Sequence, residues 1–130
     1  MKEIFIRREA FSLVEALAAV AILGIIAFLA LPNIVAIKED GEENLAVARA
    51  EALNMAVASY IQSNGRFAAD AGWTAAGTAQ LKYDLISPYL AFAPQQIGSY
   101  MPATYSVNLP TDLSALTKTV LVGPAGTINY

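Results

Sequence analysis

The chain has 130 residues, enough for one ordinary domain, and 56% of them are hydrophobic, more than a soluble core of that size uses. It contains neither cysteine nor histidine, which excludes a disulfide framework and a thiolate metal site and removes the commonest general base. With a net charge of −3 and basic residues scattered past residue 11, at Lys38, Arg49, Arg66, Lys82 and Lys118, a nucleic-acid partner is disfavoured.

The first ten residues, MKEIFIRREA, set Lys2, Arg7 and Arg8 against Glu3 and Glu9. By the positive-inside bias they stay cytoplasmic, which sends the chain after Pro32 to the outer side. Phe11 to Pro32, FSLVEALAAVAILGIIAFLALP, is a nearly unbroken apolar run with a single carboxylate, Glu15. As a helix it is long enough to cross a hydrocarbon core about 30 Å thick. An ionised carboxylate at mid-bilayer costs roughly 2.5 to 3.5 kcal/mol, so an acid in such a run points to a function. Ala16, Ala18, Ala19, Ala21 and Gly24 are small enough to let helices approach closely. Pro32 lacks a backbone donor and crowds the carbonyl of Phe28, which predicts a kink or local unwinding, and with Gly24 it brackets a weakened segment. A cleaved secretory signal, a permanent anchor and a short processed leader all begin this way. The ordinary signal fits worst, because its apolar region is shorter and ends at a small-residue cleavage site.

After Pro32 the pattern turns amphipathic. Ala46, Ala50, Leu53, Val57, Tyr60 and Ile61 fall on one stripe, while Lys38, Glu39, Asp40, Glu42, Glu43, Arg49 and Glu51 are solvent-side candidates. Asn64-Gly65 supplies a stop, which predicts one helix of roughly 80 Å from Phe11. The acidic run KEDGEE reads as a solvated face or as a surface that pairs with Arg49 or Arg66 of a neighbouring copy. Gly41 within it is a poor helix former.

Beyond the helix, GRFAADAGWTAAGTAQL reads as an irregular connection with one short helix. KYDLISPYLA predicts a short helix or turn interrupted at Pro88, with Tyr83, Leu85, Ile86, Tyr89, Leu90 and Phe92 packed on the long helix. Tyr105 to Leu109 alternates like a strand, and Pro110 to Leu116 is a connecting loop. Thr119 to Val122 is a β-branched run, and a Gly-Pro-Ala-Gly turn at 123–126 leads into a closing strand through Tyr130. Trp73 and the tyrosines read as core filler more readily than as a ligand surface. The fold expected is α+β: a long N-terminal helix, half transmembrane and half amphipathic, against a small antiparallel sheet. No catalytic constellation and no metal set emerge, so neither an enzyme nor a cofactor is expected.

The residues Ala10-Phe11-Ser12-Leu13-Val14-Glu15, followed by the apolar run, resemble the class III signal of type IV pilins and type II secretion pseudopilins. In that family a small residue precedes Phe, then Ser or Thr, Leu, an aliphatic residue and Glu. Ala10 stands where glycine is commoner, Gly24 and Pro32 fall where many members carry the same residues, and AVASYIQSNGRF resembles the end of a pseudopilin's long helix. The resemblance implies a leader over 1–10, a transmembrane and assembly half over 11–32, and a pilin-like head over 33–130. It implies cleavage between Ala10 and Phe11 by a prepilin peptidase, methylation of the new Phe11 amine, and an assembly role for Glu15. The partners implied are that peptidase, an inner-membrane assembly platform and further copies of the chain in a helical filament. The precursor would sit in the inner or cytoplasmic membrane, N-in and C-out, and the mature subunit in a cell-surface or periplasmic filament. The same resemblance leaves open a minor subunit serving adhesion or DNA uptake, or a secretion pseudopilin. Secretion pseudopilins often hold calcium in their C-terminal loops, whereas here Asp112 is alone among acids after residue 90, too few for an all-protein cage.

Overall fold

The structure is a computed structural model and describes residues 10–130. Apart from Ala10, the expected leader lies outside the described residues. Helix α1 runs over Leu13–Asn64, α2 over Arg66–Ala76 and α3 over Ala79–Ile86, with a 3-10 turn at Ser87–Tyr89 and a short α4 at Ile97–Tyr100. Strands β1 (Ser106–Asn108), β2 (Val120–Gly123) and β3 (Gly126–Ile128) form one antiparallel sheet in the order β1-β2-β3. The fold is α+β, as the sequence predicts. Two compact units divide the chain inside α1, one up to Glu39 and one over Asp40–Tyr130, a boundary later than the change of composition at residue 33.

Helix α1 continues without interruption through Gly24, Pro32 and Gly41, so of the kink or local unwinding expected at Pro32 the unwinding is not present. A proline deletes one i→i−4 bond, and the bonds of the turns on either side suffice to carry the helix past it. The helix stops where expected. Gly65 takes φ 79°, a left-handed conformation that suits a residue without a Cβ, and its N–H donates to the Ile61 carbonyl at 2.9 Å.

In the second unit the predicted stripe is the core. Ala46, Ala50, Leu53, Val57 and Tyr60 are buried, joined by Ala56, while Ile61 is half-buried. Three alanines on that stripe bring other elements close to the helix backbone. Trp73 and Ala69 of α2, Tyr83 and Ile86 of α3, Val107 of β1 and Leu121 of β2 complete one cluster with it. The β registers place Val107 opposite Leu121 and Leu121 opposite Ile128, so the inward positions of all three strands align. At the hairpin, Gly126 adopts φ 123°, which a Cβ would strain.

Side chains of α1 also bond the chain leading into β2. Asn54 Oδ1 accepts the Thr119 N–H at 2.8 Å, and Tyr130 donates its hydroxyl to the Thr119 carbonyl at 2.5 Å. The Lys118 ammonium reaches both Glu51, at 2.8 Å, and the Tyr130 carbonyl, at 3.0 Å. These contacts satisfy polar groups at the seam between helix and sheet, where an orphan would cost about 1–3 kcal/mol.

Several expectations are corrected. The stretch after Gly65 is an eleven-residue helix, α2, rather than largely irregular, because its alanines favour helix and its Ala69–Trp73 face finds a core to bury in. Phe92 does not pack on α1: it is fully exposed, at 102%, on a left-handed residue with φ 56°. Tyr89, by contrast, meets α1 as expected: although partly exposed, its ring stands edge-on to that of Tyr60, with centroids 6.3 Å apart. Arg49 is half-buried rather than solvent-facing: it donates to the Tyr100 carbonyl and lies 5.7 Å from the centre of the Tyr100 ring.

The Glu51 carboxyl is held below its ordinary value, first by the Lys118 hydrogen bond and then by Asn54. A depressed carboxylate contributes stability that is present above the unfolded value and is lost as pH falls through the folded one. Melting temperature should therefore fall on acidification below the ordinary carboxylate range, and Glu51→Gln should remove part of that fall. Thermal melts of both proteins across the acid range check this.

Candidate functional site

The apolar half of α1 is the candidate site. From Ala10 to Gly41 every residue is exposed except Ala30, which is half-buried. Phe11 is 86% exposed, and Leu17, Val20, Leu23, Ile26, Leu29, Leu31 and Ile34 are likewise uncovered. The helix is long and apolar enough to span a membrane, with a most apolar window of mean hydropathy 2.6 and none of that window buried. A helix that is apolar on all sides is stable only in lipid or against other protein.

At its N-terminus Ser12 and Glu15 bond reciprocally. The Ser12 N–H donates to Glu15 Oε2 at 3.0 Å and the Glu15 N–H donates to Ser12 Oγ at 3.2 Å. This is a capping box: two of the amides that a helix start leaves without an intrahelical partner are satisfied by side chains. Glu15 also places its negative charge in the first turn, where the helix dipole favours it. Ser-x-x-Glu ahead of an apolar run is the sequence signature of this cap, which gives Ser12 a part beside the assembly role expected of Glu15. The cap makes the acid compatible with its apolar surroundings. An ionised carboxylate offers about four acceptor positions, so the Ser12 amide leaves capacity for a cation or a further donor.

The other predicted positions stand apart from this pair. Ala10 and Phe11 precede the helix and are exposed, which leaves the bond between them open to another protein. Gly24 has nothing within 4 Å of where a Cβ would lie, so its lack of a side chain is not required within one copy. Pro32 lies in the helix and is exposed. Among the described residues no group of three or more acidic side chains could hold a metal ion. In the groove lined by Asp84, Ser87, Pro94 and Gln95, the Ser87 hydroxyl donates to the Asp84 main-chain carbonyl at 3.1 Å. Compared with protein-family models, curated proteins and solved structures, the chain finds no match in any of the three.

Ser12→Ala removes the side-chain acceptor of the cap, a loss of about 1 kcal/mol. Exchange of the Glu15 amide in detergent micelles should accelerate roughly fivefold, with the amides beyond Gly24 unchanged, as hydrogen exchange followed by NMR would show.

Proposed function

We propose that the chain is a structural subunit of a type IV pilus or pseudopilus-like filament, matured by a prepilin peptidase and assembled through the apolar half of α1. The observation that carries this reading is a capped acid, Glu15, at the head of an apolar helix that its own chain leaves uncovered. A permanent anchor needs the apolar surface and uses the acid only as a helix cap, which leaves the carboxylate's remaining acceptor positions unfilled. A subunit that moves from lipid into a helical bundle of its own copies uses both. Cleavage between Ala10 and Phe11 would free an amine one helical turn from Glu15, and a carboxylate there neutralises such an amine, its own or a neighbour's, in a low dielectric. Before assembly the precursor lies in the membrane, N-in and C-out; its partners are the peptidase, the assembly platform and other copies. A minor subunit that presents its head to a ligand is the second reading, and the fully exposed Phe92 favours it.

Mass spectrometry of the protein from cells with an active prepilin peptidase should find an N-terminus at methylated Phe11; an intact Met1 would overturn the proposal. For Glu15→Ala, insertion and cleavage should persist while the yield of sheared filaments falls at least about tenfold, a loss of about 1.4 kcal/mol or more. Undiminished filaments would remove the assembly role from Glu15.

A further inference from the structure

The connection between β1 and β2 is pinned at its base and gripped along its length by different means. At the base, Asn108 pairs with Val120 in the ladder, and Asn54 of α1 holds the Thr119 amide. Along its length the grip comes from side chains of α2 and α3. Trp73 Nε1–H donates to the Pro110 carbonyl at 2.8 Å, Asp70 accepts the Leu113 N–H at 2.7 Å, and Arg66 donates to the Ser114 carbonyl. Positions 66, 70 and 73 share one face of α2, and they meet 114, 113 and 110 in reverse order, so the loop runs antiparallel to the helix. Lys82 of α3 adds its ammonium to the Pro110 carbonyl at 3.0 Å and the Thr111 carbonyl at 2.9 Å, and sits 5.4 Å from the centre of the Trp73 ring.

Under this loop lie the buried Trp73 and the loop's own Leu113, 0% and 2% exposed. Among the described residues, no backbone–backbone hydrogen bond joins residues 110–117 to another element. Every tie is a side chain reaching a main-chain group, and two of the four side chains making them, Asp70 and Lys82, keep ionic groups half-buried. Such ties can break together while the Asn108–Val120 pair below them stays closed.

We propose that residues 110–117 form a strap over Trp73 that opens as a unit while the three-stranded sheet stays paired, and that the Lys82 ammonium is the closure setting how often it opens. Opening uncovers the Trp73 ring and Leu113, which are buried while it is closed, and so adds apolar surface to the head. The inference does not depend on the filament assignment.

Amide exchange followed by NMR on the full chain in detergent micelles tests it. The Leu113 amide should exchange at least about tenfold faster than the amides of the middle strand β2. Lys82→Met keeps the aliphatic stem and removes the charge-assisted bonds. It should speed Leu113 by about a further tenfold, leave β2 unchanged, and raise the rate at which acrylamide quenches Trp73 fluorescence. Equal rates for Leu113 and β2 in the unsubstituted protein would show that the loop opens only with the whole head and would overturn the proposal. So would a substitution that speeds both alike. A fast Leu113 indifferent to Lys82→Met would remove the lysine from the role of closure.

Discussion

One helix with two apolar surfaces constrains everything else in this molecule. The second half of α1 presents a stripe, Ala46 to Tyr60, that the head buries; the first half presents apolar side chains all round that its own chain leaves exposed. The two surfaces answer different demands. A stripe on one side needs a globular partner of its own sequence, whereas an all-round apolar surface needs a medium, either hydrocarbon or a bundle of like helices. Both lie on one uninterrupted helix.

The head assembles on a helix face that is half alanine, which contributes closeness rather than buried area. Bulk comes from elsewhere: Trp73, Tyr83, Ile86, Leu113 and Leu121 are all fully or nearly fully buried. With no disulfide, the short strands and long connections are tied by side chains bonding the main chain. Asn54 and Tyr130 hold Thr119, Arg49 holds Tyr100, and Trp73 with Lys82 holds Pro110. The aromatic residues are therefore at once filler and donors. Trp73 buries its ring and spends its one N–H on a carbonyl, the arrangement that makes a buried indole tolerable.

Glu15 looks awkward in a run of aliphatic side chains and is less so in the fold. A helix start leaves amides without intrahelical partners, and in an apolar medium these are as costly as the acid itself. Ser12 and Glu15 settle two of those amides between them. The same geometry keeps a negative charge at the one place on the helix where a newly made amine would lie nearby. Structural cap and proposed assembly group are thus compatible roles of one residue, and their difference lies in what occupies the carboxylate's remaining acceptor positions.

Much was legible in the order of the residues. The α1 stop at Asn64-Gly65, the buried stripe, the alternation about Val107 and the hairpin at 123–126 follow from local rules of periodicity, capping and left-handed glycine, and each appears where those rules put it. The Ser12–Glu15 cap is local in the same way, a contact across three residues with a Ser-x-x-Glu signature. What local rules do not contain is which distant group a side chain meets. Arg49 looked like one more surface charge until Tyr100, fifty-one positions away, came to rest on it. The 66–76 stretch reads as irregular because its Gly, Thr and single Trp carry little periodic signal, and it is helical because its alanines favour helix and the Ala69–Trp73 face is buried in a core built by distant segments. Phe92 counted as core by its hydrophobicity alone, and a left-handed backbone turned it outward. Sequence alone determined the elements with strong short-range pattern and the surface that needs lipid or other copies, because those depend on neighbours within a few residues. The tertiary structure decided which polar and aromatic side chains became fasteners, because a hydrogen bond across the head exists only once the chain has closed on itself.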